Sequence, residues 1–198
     1  MLAAVTPLLA AGHRANRGLG LVELMVATVV LGVIVAVAAP SLRDLLERRR
    51  VVAVAGELNN IFAFARSEAN VNADQTLVLH LENDPSGNVS CVALTVLHPS
   101  DAWKCYQTQT NLIRAILLRL FLIPASDNVS FQTTATQWGL DPNRMYFVRN
   151  RPDTSVSGVA ITITGRRTGA QLKLEYNQAG RVHTCSPHGT MGGYPVCS

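Results

Sequence analysis

The sequence has no glycine-rich nucleotide loop, no His-Glu-x-x-His zinc helix and no Gly-x-Ser-x-Gly nucleophile elbow. Phosphate cradling, helix-borne zinc hydrolysis and elbow-serine chemistry therefore lack their usual residues, and an enzyme is not the expectation. Nothing in the residue pattern calls for a cofactor. Charge is also scarce, at 15% of residues against 48% hydrophobic in a chain of 198. That balance can bury one ordinary core, which predicts one globular domain plus appendages. No internal repeat or low-complexity tract breaks it up.

The apolar residues are unevenly spread. Leu19 to Ala39 holds one ionisable side chain, Glu23, and the first proline after it is Pro40. At helical rise these 21 residues reach roughly 31 Å, the thickness of a bilayer's hydrocarbon core. A membrane helix follows. Ahead of it, His13, Arg14 and Arg17 precede a junction at Gly18. A secretory signal places its cleavage site after the apolar stretch. Here the basic and small residues come first, so cleavage at Gly18 leaves the helix on the mature chain. The basic flank predicts a cytoplasmic leader and an exported bulk.

The stretch Gly18-Leu19-Gly20-Leu21-Val22-Glu23-Leu24-Met25-Val26 resembles the signature of type IV prepilins and type II secretion pseudopilins. The resemblance implies a dedicated prepilin peptidase that cuts between Gly18 and Leu19 and methylates the new N-terminus. It also implies that Glu23, fifth from Leu19, serves assembly. Phenylalanine is the family's usual first mature residue, and Leu19 departs from it. Pro40 matches the family's proline that bends or melts the long helix.

The physics of Glu23 points the same way. A carboxylate inside a membrane span costs several kcal/mol unless paired, so it marks function. In a filament its natural partner is the amine freed at Leu19, on the same or a neighbouring subunit. Snorkelling to the nearby interface is the plainer alternative.

Beyond the span the apolar period becomes helical and amphipathic. Leu42, Leu45, Leu46, Val52, Ala55, Leu58, Phe62, Ala65 and Ala69 recur at three- and four-residue steps, predicting a helix to about Asn70. Arg48-Arg49-Arg50 falls early on it and reads as a solvated face, with lipid phosphates or nucleic acid as other occupants.

Strand signals follow. Residues 76–81, 89–97, 145–148, 159–164 and 172–176 alternate or are β-branched between Gly, Pro, Asn and Asp clusters. Leu112 to Ile123 is too short and too charged, with Arg114 and Arg119, for a second span; strand is preferred over buried helix. The expected fold class is α+β and pilin-like, a long N-terminal helix packed on an antiparallel sheet. The expected divisions are a leader at 1–18, a membrane and assembly helix at 19–40, an amphipathic helix at 41–72 and a β-rich domain at 73–198.

Four cysteines fall into two local pairs with 13 and 11 residues between them. In an oxidising compartment each should close, Cys91 with Cys105 and Cys185 with Cys197. His183, Cys185, His188 and Cys197 offer a rival zinc set, but their spacing matches no familiar zinc motif, and no metal site is assigned. His80 and His98 stand alone in strand-like contexts and read as structural.

The run Tyr176-Asn177-Gln178-Ala179-Gly180-Arg181-Val182-His183-Thr184-Cys185 resembles the closing hairpin of FimT-like and FimU-like minor pilins in the GspH/FimT family. That resemblance implies a minor subunit that primes or caps a filament. It also implies partners among other pilins or pseudopilins, the bacterial inner membrane as anchor, and a periplasmic C-terminal domain. Some FimT-like proteins bind DNA in natural transformation through Gly-Arg-any-Arg in the tail. This chain has Gly180-Arg181-Val182-His183, and a histidine largely neutral at pH 7 grips phosphate less well. The tail is nonetheless basic. Residues 143–198 carry seven basic side chains against two acidic, whereas 74–142 carry three against six. DNA is thus the second expected partner, contacted by Arg181 and His183 with Arg166 and Arg167 as helpers.

Overall fold

The computed structural model describes residues 20–71, 76–96, 103–107, 116–141, 146–149, 158–177 and 180–197. Helix α1 (Leu21–Val71) runs without interruption through Pro40. Proline has no N–H and removes one bond of the helical ladder, yet the helix continues past it. The chain divides into two compact units, one ending at Ser41 and one beginning at Leu42.

In the first unit the helix is rich in Val, which disfavours helix in water. In an apolar medium the choice is different, because a helix satisfies every backbone polar group within one segment. Thr28 and Ser41 turn their hydroxyls back onto the carbonyls of Met25 and Ala38, at 2.9 and 2.8 Å, which hides those groups as well. This helix is long and apolar enough to cross a membrane.

The second unit packs the rest of α1 against two antiparallel sheets, the expected α+β, pilin-like class. Sheet A has the order β3-β2-β1-β5-β6, from β1 (Leu77–Asn83), β2 (Val89–Val96), β3 (Leu117–Pro124), β5 (Gln137–Asp141) and β6 (Tyr146–Arg149). Sheet B is β4-β7-β8-β9, from β4 (Val129–Thr133), β7 (Val159–Gly165), β8 (Gln171–Tyr176) and β9 (Val182–Cys185). Where one sheet was expected there are two. The helix fills the space they share, and its Phe62 ring lies 5.2 Å from that of Tyr176 in β8. Leu79 and Leu94 from sheet A and Ile161 and Leu172 from sheet B join the same core.

β7 alternates strictly, burying Val159, Ile161 and Ile163 and turning Ala160, Thr162 and Thr164 outward, as a sheet with one covered face should. β1 is buried on both faces instead. Its outward residues lie under a second small cluster of Cys91, Ala93, Trp103 and Cys105. His80 is buried there, edge-on to Trp103 at 4.9 Å and 3.2 Å from the Thr95 hydroxyl. Glu82 is held by Lys104 at 3.0 Å and by the Cys105 N–H at 2.9 Å.

The amphipathic stripe needs correction in its first half. Leu42, Leu45, Leu46 and Val52 were expected inward, but they are exposed, and Glu47, Val51 and Val54 face the core in their place. From Ala55 onward the expected residues are buried. Residues 42–55 of α1 carry apolar side chains on two faces, and periodicity alone does not choose between them. The strand preferred for 112–123 is β3 from Leu117 onward; residues 112–115 and His98 lie outside the described residues.

Candidate functional site

Gly18 and Leu19, where processing is expected, lie outside the described residues. Glu23 sits in the first turn of α1. It shares a shallow groove with Val26, Ala27, Val30, Leu31 and Ile34, the three- and four-residue steps of a single helix face. The carboxylate is thus the one ionisable group on an otherwise apolar stripe, which suits a pairing with a cation presented by a second apolar helix.

A second carboxylate, unremarked in the sequence, organises the base of the β domain. Glu47 is 3% exposed. It precedes Val51, Val54, Ala55 and Leu58 at helical spacing, so it belongs to the core-facing stripe, and that spacing was the available signal. Its Oε1 accepts from the Thr168 N–H and hydroxyl, both at 2.8 Å, and from the Arg167 N–H at 3.1 Å. Asp44, one turn earlier, pairs with the Arg167 guanidinium. The approach requires Gly165, where a Cβ would stand 2.6 Å from Glu47 Oε1. Burial pushes the Glu47 carboxyl up, but the Thr168 and Arg167 hydrogen bonds and the Arg167 charge outweigh it, and the net pKa lies below the ordinary value.

Cys91 is joined to Cys105, with Cα atoms 5.9 Å apart, and Cys185 to Cys197, at 5.0 Å. Sulfurs in a disulfide are not thiolate ligands, so the zinc set of the tail lacks two of its four donors in this form. The tail is also held without the disulfide. Met191 is buried in the main core, the Arg48 guanidinium donates to the Thr190 carbonyl at 2.7 Å, and the Ser186 hydroxyl donates to Gln171 O at 3.3 Å.

The four residues suggested for DNA are not brought together. Arg181 is exposed in the β8–β9 turn. Gly180 there adopts φ +71° and its carbonyl accepts from the Arg66 guanidinium at 2.8 Å. Arg166 and Arg167 occupy the β7–β8 turn at the other end of β8. Its six residues separate the two turns by roughly 20 Å. The helpers were grouped with Arg181 because they are near in sequence, and an antiparallel strand reverses that nearness. His183 lies directly across from Glu175, with its ligand atoms within 4.8 Å of the carboxylate and of Cys185.

Residues 13–39 match the family model described as the prokaryotic N-terminal methylation motif. No curated protein and no solved structure shows a significant match to the chain. The motif spans the basic flank, the Gly18–Leu19 junction, Glu23 and the apolar helix. It implies processing by prepilin peptidase and assembly with other pilins, in a family of structural proteins rather than enzymes. Together with the apolar helix and the α+β domain, the motif supports a membrane-anchored protein of type IV pilin or pseudopilin character.

Proposed function

We propose that this protein is a minor pilin of a type IV pilus, related to the GspH/FimT family, that primes or caps the filament. The observation that carries this reading is Glu23, a lone carboxylate on the apolar stripe of a helix that continues into a β-rich domain. Cleavage after Gly18 would free an amine at Leu19 as its partner. The exposed Leu42, Leu45, Leu46 and Val52 extend the apolar surface available to neighbouring helices beyond the membrane. The domain lies in the periplasm until the subunit is taken up. Support for a minor rather than a major subunit comes from the tail, where the segment resembling a FimT-like closing hairpin runs from Tyr176, the last residue of β8, to the end of β9 and leads into a disulfide-closed loop.

A priming subunit should be present in trace copies in purified filaments, and its deletion should abolish piliation. Abundance equal to the main subunit would argue against the reading. Loss of exoprotein secretion with normal pili would instead favour a minor pseudopilin of type II secretion. Contact with DNA keeps Arg181 and His183, both exposed at one end of β8, and their separation from Arg166 and Arg167 makes it the weaker reading.

A further inference from the structure

The stretch after the apolar run carries positive charge that the pairing proposed for Glu23 does not involve. Arg43, Arg48, Arg49 and Arg50 all follow within eleven residues of Ala39. Asp44 and Glu47 then draw the β7–β8 turn, with Arg166 and Arg167, against the same part of α1. Six arginines thus lie on this part of α1 and the turn held against it, with three carboxylates, Asp44, Glu47 and Asp127, beside Arg50 and Arg167. The carboxylates are already committed. Asp44 pairs with Arg167, Glu47 faces backbone and hydroxyl donors, and Asp127 stands 4.0 Å from Arg50. Arg48 donates to a neutral carbonyl, which leaves its charge in place. Arg43, Arg49 and Arg166 are exposed, and among the described residues no side-chain hydrogen bond or ion pair engages them.

We propose that this collar binds anionic phospholipid headgroups at the membrane surface from which the domain emerges. The proposal rests on the membrane-anchored reading. Arg43 and Arg49 stand four and ten residues after Ala39, so chain connectivity alone keeps them near the headgroup layer. Exposed Leu42, Leu45 and Leu46 alternate with the arginines, the composition of a segment at home at an interface. Guanidinium forks match phosphate oxygens in charge and geometry. Connectivity favours lipid over nucleic acid, since the bilayer is always present beside Arg43 whereas a polyanion must find it. The collar also bears on topology. Basic residues this close to a span usually mark the retained side; here they are gathered into a folded domain, and headgroup binding gives them a use on the far side.

The test takes the full chain reconstituted in phosphatidylcholine vesicles containing phosphatidylglycerol. Spin-labelled forms of the two lipids report by electron paramagnetic resonance which one occupies the shell around the protein. Phosphatidylglycerol should be preferred, less so as salt rises. Arg43→Gln, Arg49→Gln and Arg166→Gln should each lower the preference, by up to about fivefold at low salt, and together should nearly abolish it. Arg181→Gln should leave it unchanged. Lysine at the same three positions should keep most of it, which separates loss of charge from loss of fold. An unchanged preference in the triple glutamine variant overturns the collar. So does a DNA oligonucleotide that binds through the same three arginines while lipid preference stays flat. Release of the protein by an alkaline wash would overturn the anchored reading, and the collar with it; retention without selectivity overturns the collar alone.

Discussion

The Oε1 oxygen of Glu47 accepts both hydrogen bonds that Thr168 can offer, one from its N–H and one from its hydroxyl, each at 2.8 Å. The Arg167 N–H supplies a third. Helix α1 and the β7–β8 turn are thus joined by one buried carboxylate more than a hundred residues away in sequence. Hydrogen bonds to a charged acceptor contribute more than neutral ones, and donors left orphaned in a buried site are costly. Glu47→Ala removes the acceptor and strands three donors, so it should destabilise the domain by about 3 kcal/mol. In a chain of this size that is about 9 °C in Tm. Glu47→Gln keeps one acceptor and should cost about 1 kcal/mol. Thermal denaturation of the two variants measures both.

The same carboxylate fixes a pH dependence. Its folded pKa lies below the ordinary value of 4.5, so the folded state holds the charged form more firmly than the unfolded state does. The stability it contributes is therefore complete above about pH 4.5 and is lost as pH falls through the lower, folded value. The Tm gap between wild type and Glu47→Gln should be constant from neutral pH to about 4.5 and close on further acidification. A gap that widens in acid would show the opposite sign of shift.

How legible this was follows from which contacts are local. The membrane run, the junction at Gly18 and the position of Glu23 are short-range patterns, and the family match covers just that segment. Five strands could be placed from alternation. β4 and β5 could not. β4 is a short edge strand bearing Ser130, Gln132 and Thr133, and β5 carries Gly139, which weakens strand propensity, though it pairs with both β1 and β6. The two-sheet arrangement and the Glu47 turn are tertiary. The helical spacing of Glu47 to Val51 and Val54 hints at burial but names no partner, and the half-buried Glu57 of the same helix pairs with Arg119 at 2.6 Å instead.

Processing is checked most directly. Mass spectrometry of the protein from cells that hold the peptidase should find the N-terminus at Leu19, carrying a methyl group. An intact leader, or a terminus elsewhere, would remove the partner assigned to Glu23.

Glu23→Ala makes the span more apolar, so membrane insertion should be retained while incorporation into filaments falls sharply. Fractionation and immunoblotting of sheared filaments separate the two steps. Normal incorporation would show that the carboxylate is a bystander on the groove.

The disulfide and Met191 both anchor the tail, and their contributions should separate. Closing a loop with a sequence separation of 12 stabilises by about 3 kcal/mol in the chain-entropy model. Cys185→Ser with Cys197→Ser should lose about that much. Met191 is 5% exposed, and Met191→Ala should cost about 2 to 4 kcal/mol by leaving a cavity in the core. Limited proteolysis should cut the Gly192–Gly193 segment faster in both variants. Unchanged cleavage in the Met191 variant would mean that the disulfide and the Arg48 and Ser186 hydrogen bonds hold the tail without it.

Arg181 and Arg166 should part company when tested with DNA. The two lie in turns at opposite ends of β8, roughly 20 Å apart, so one short duplex contact made by the tail involves only the first. In a gel shift with the detergent-solubilised full chain at low salt, tail-mediated binding should be independent of sequence and weaken steeply as salt rises. It should fall on Arg181→Ala and persist on Arg166→Gln. His183→Arg should strengthen it less than a free arginine would, because Glu175 sits directly across the strand pair and offsets part of the added charge. Equal losses from Arg181→Ala and Arg166→Gln would mean that DNA engages a surface spanning both turns, and no retention at low salt would leave the tail a purely structural closure of the domain.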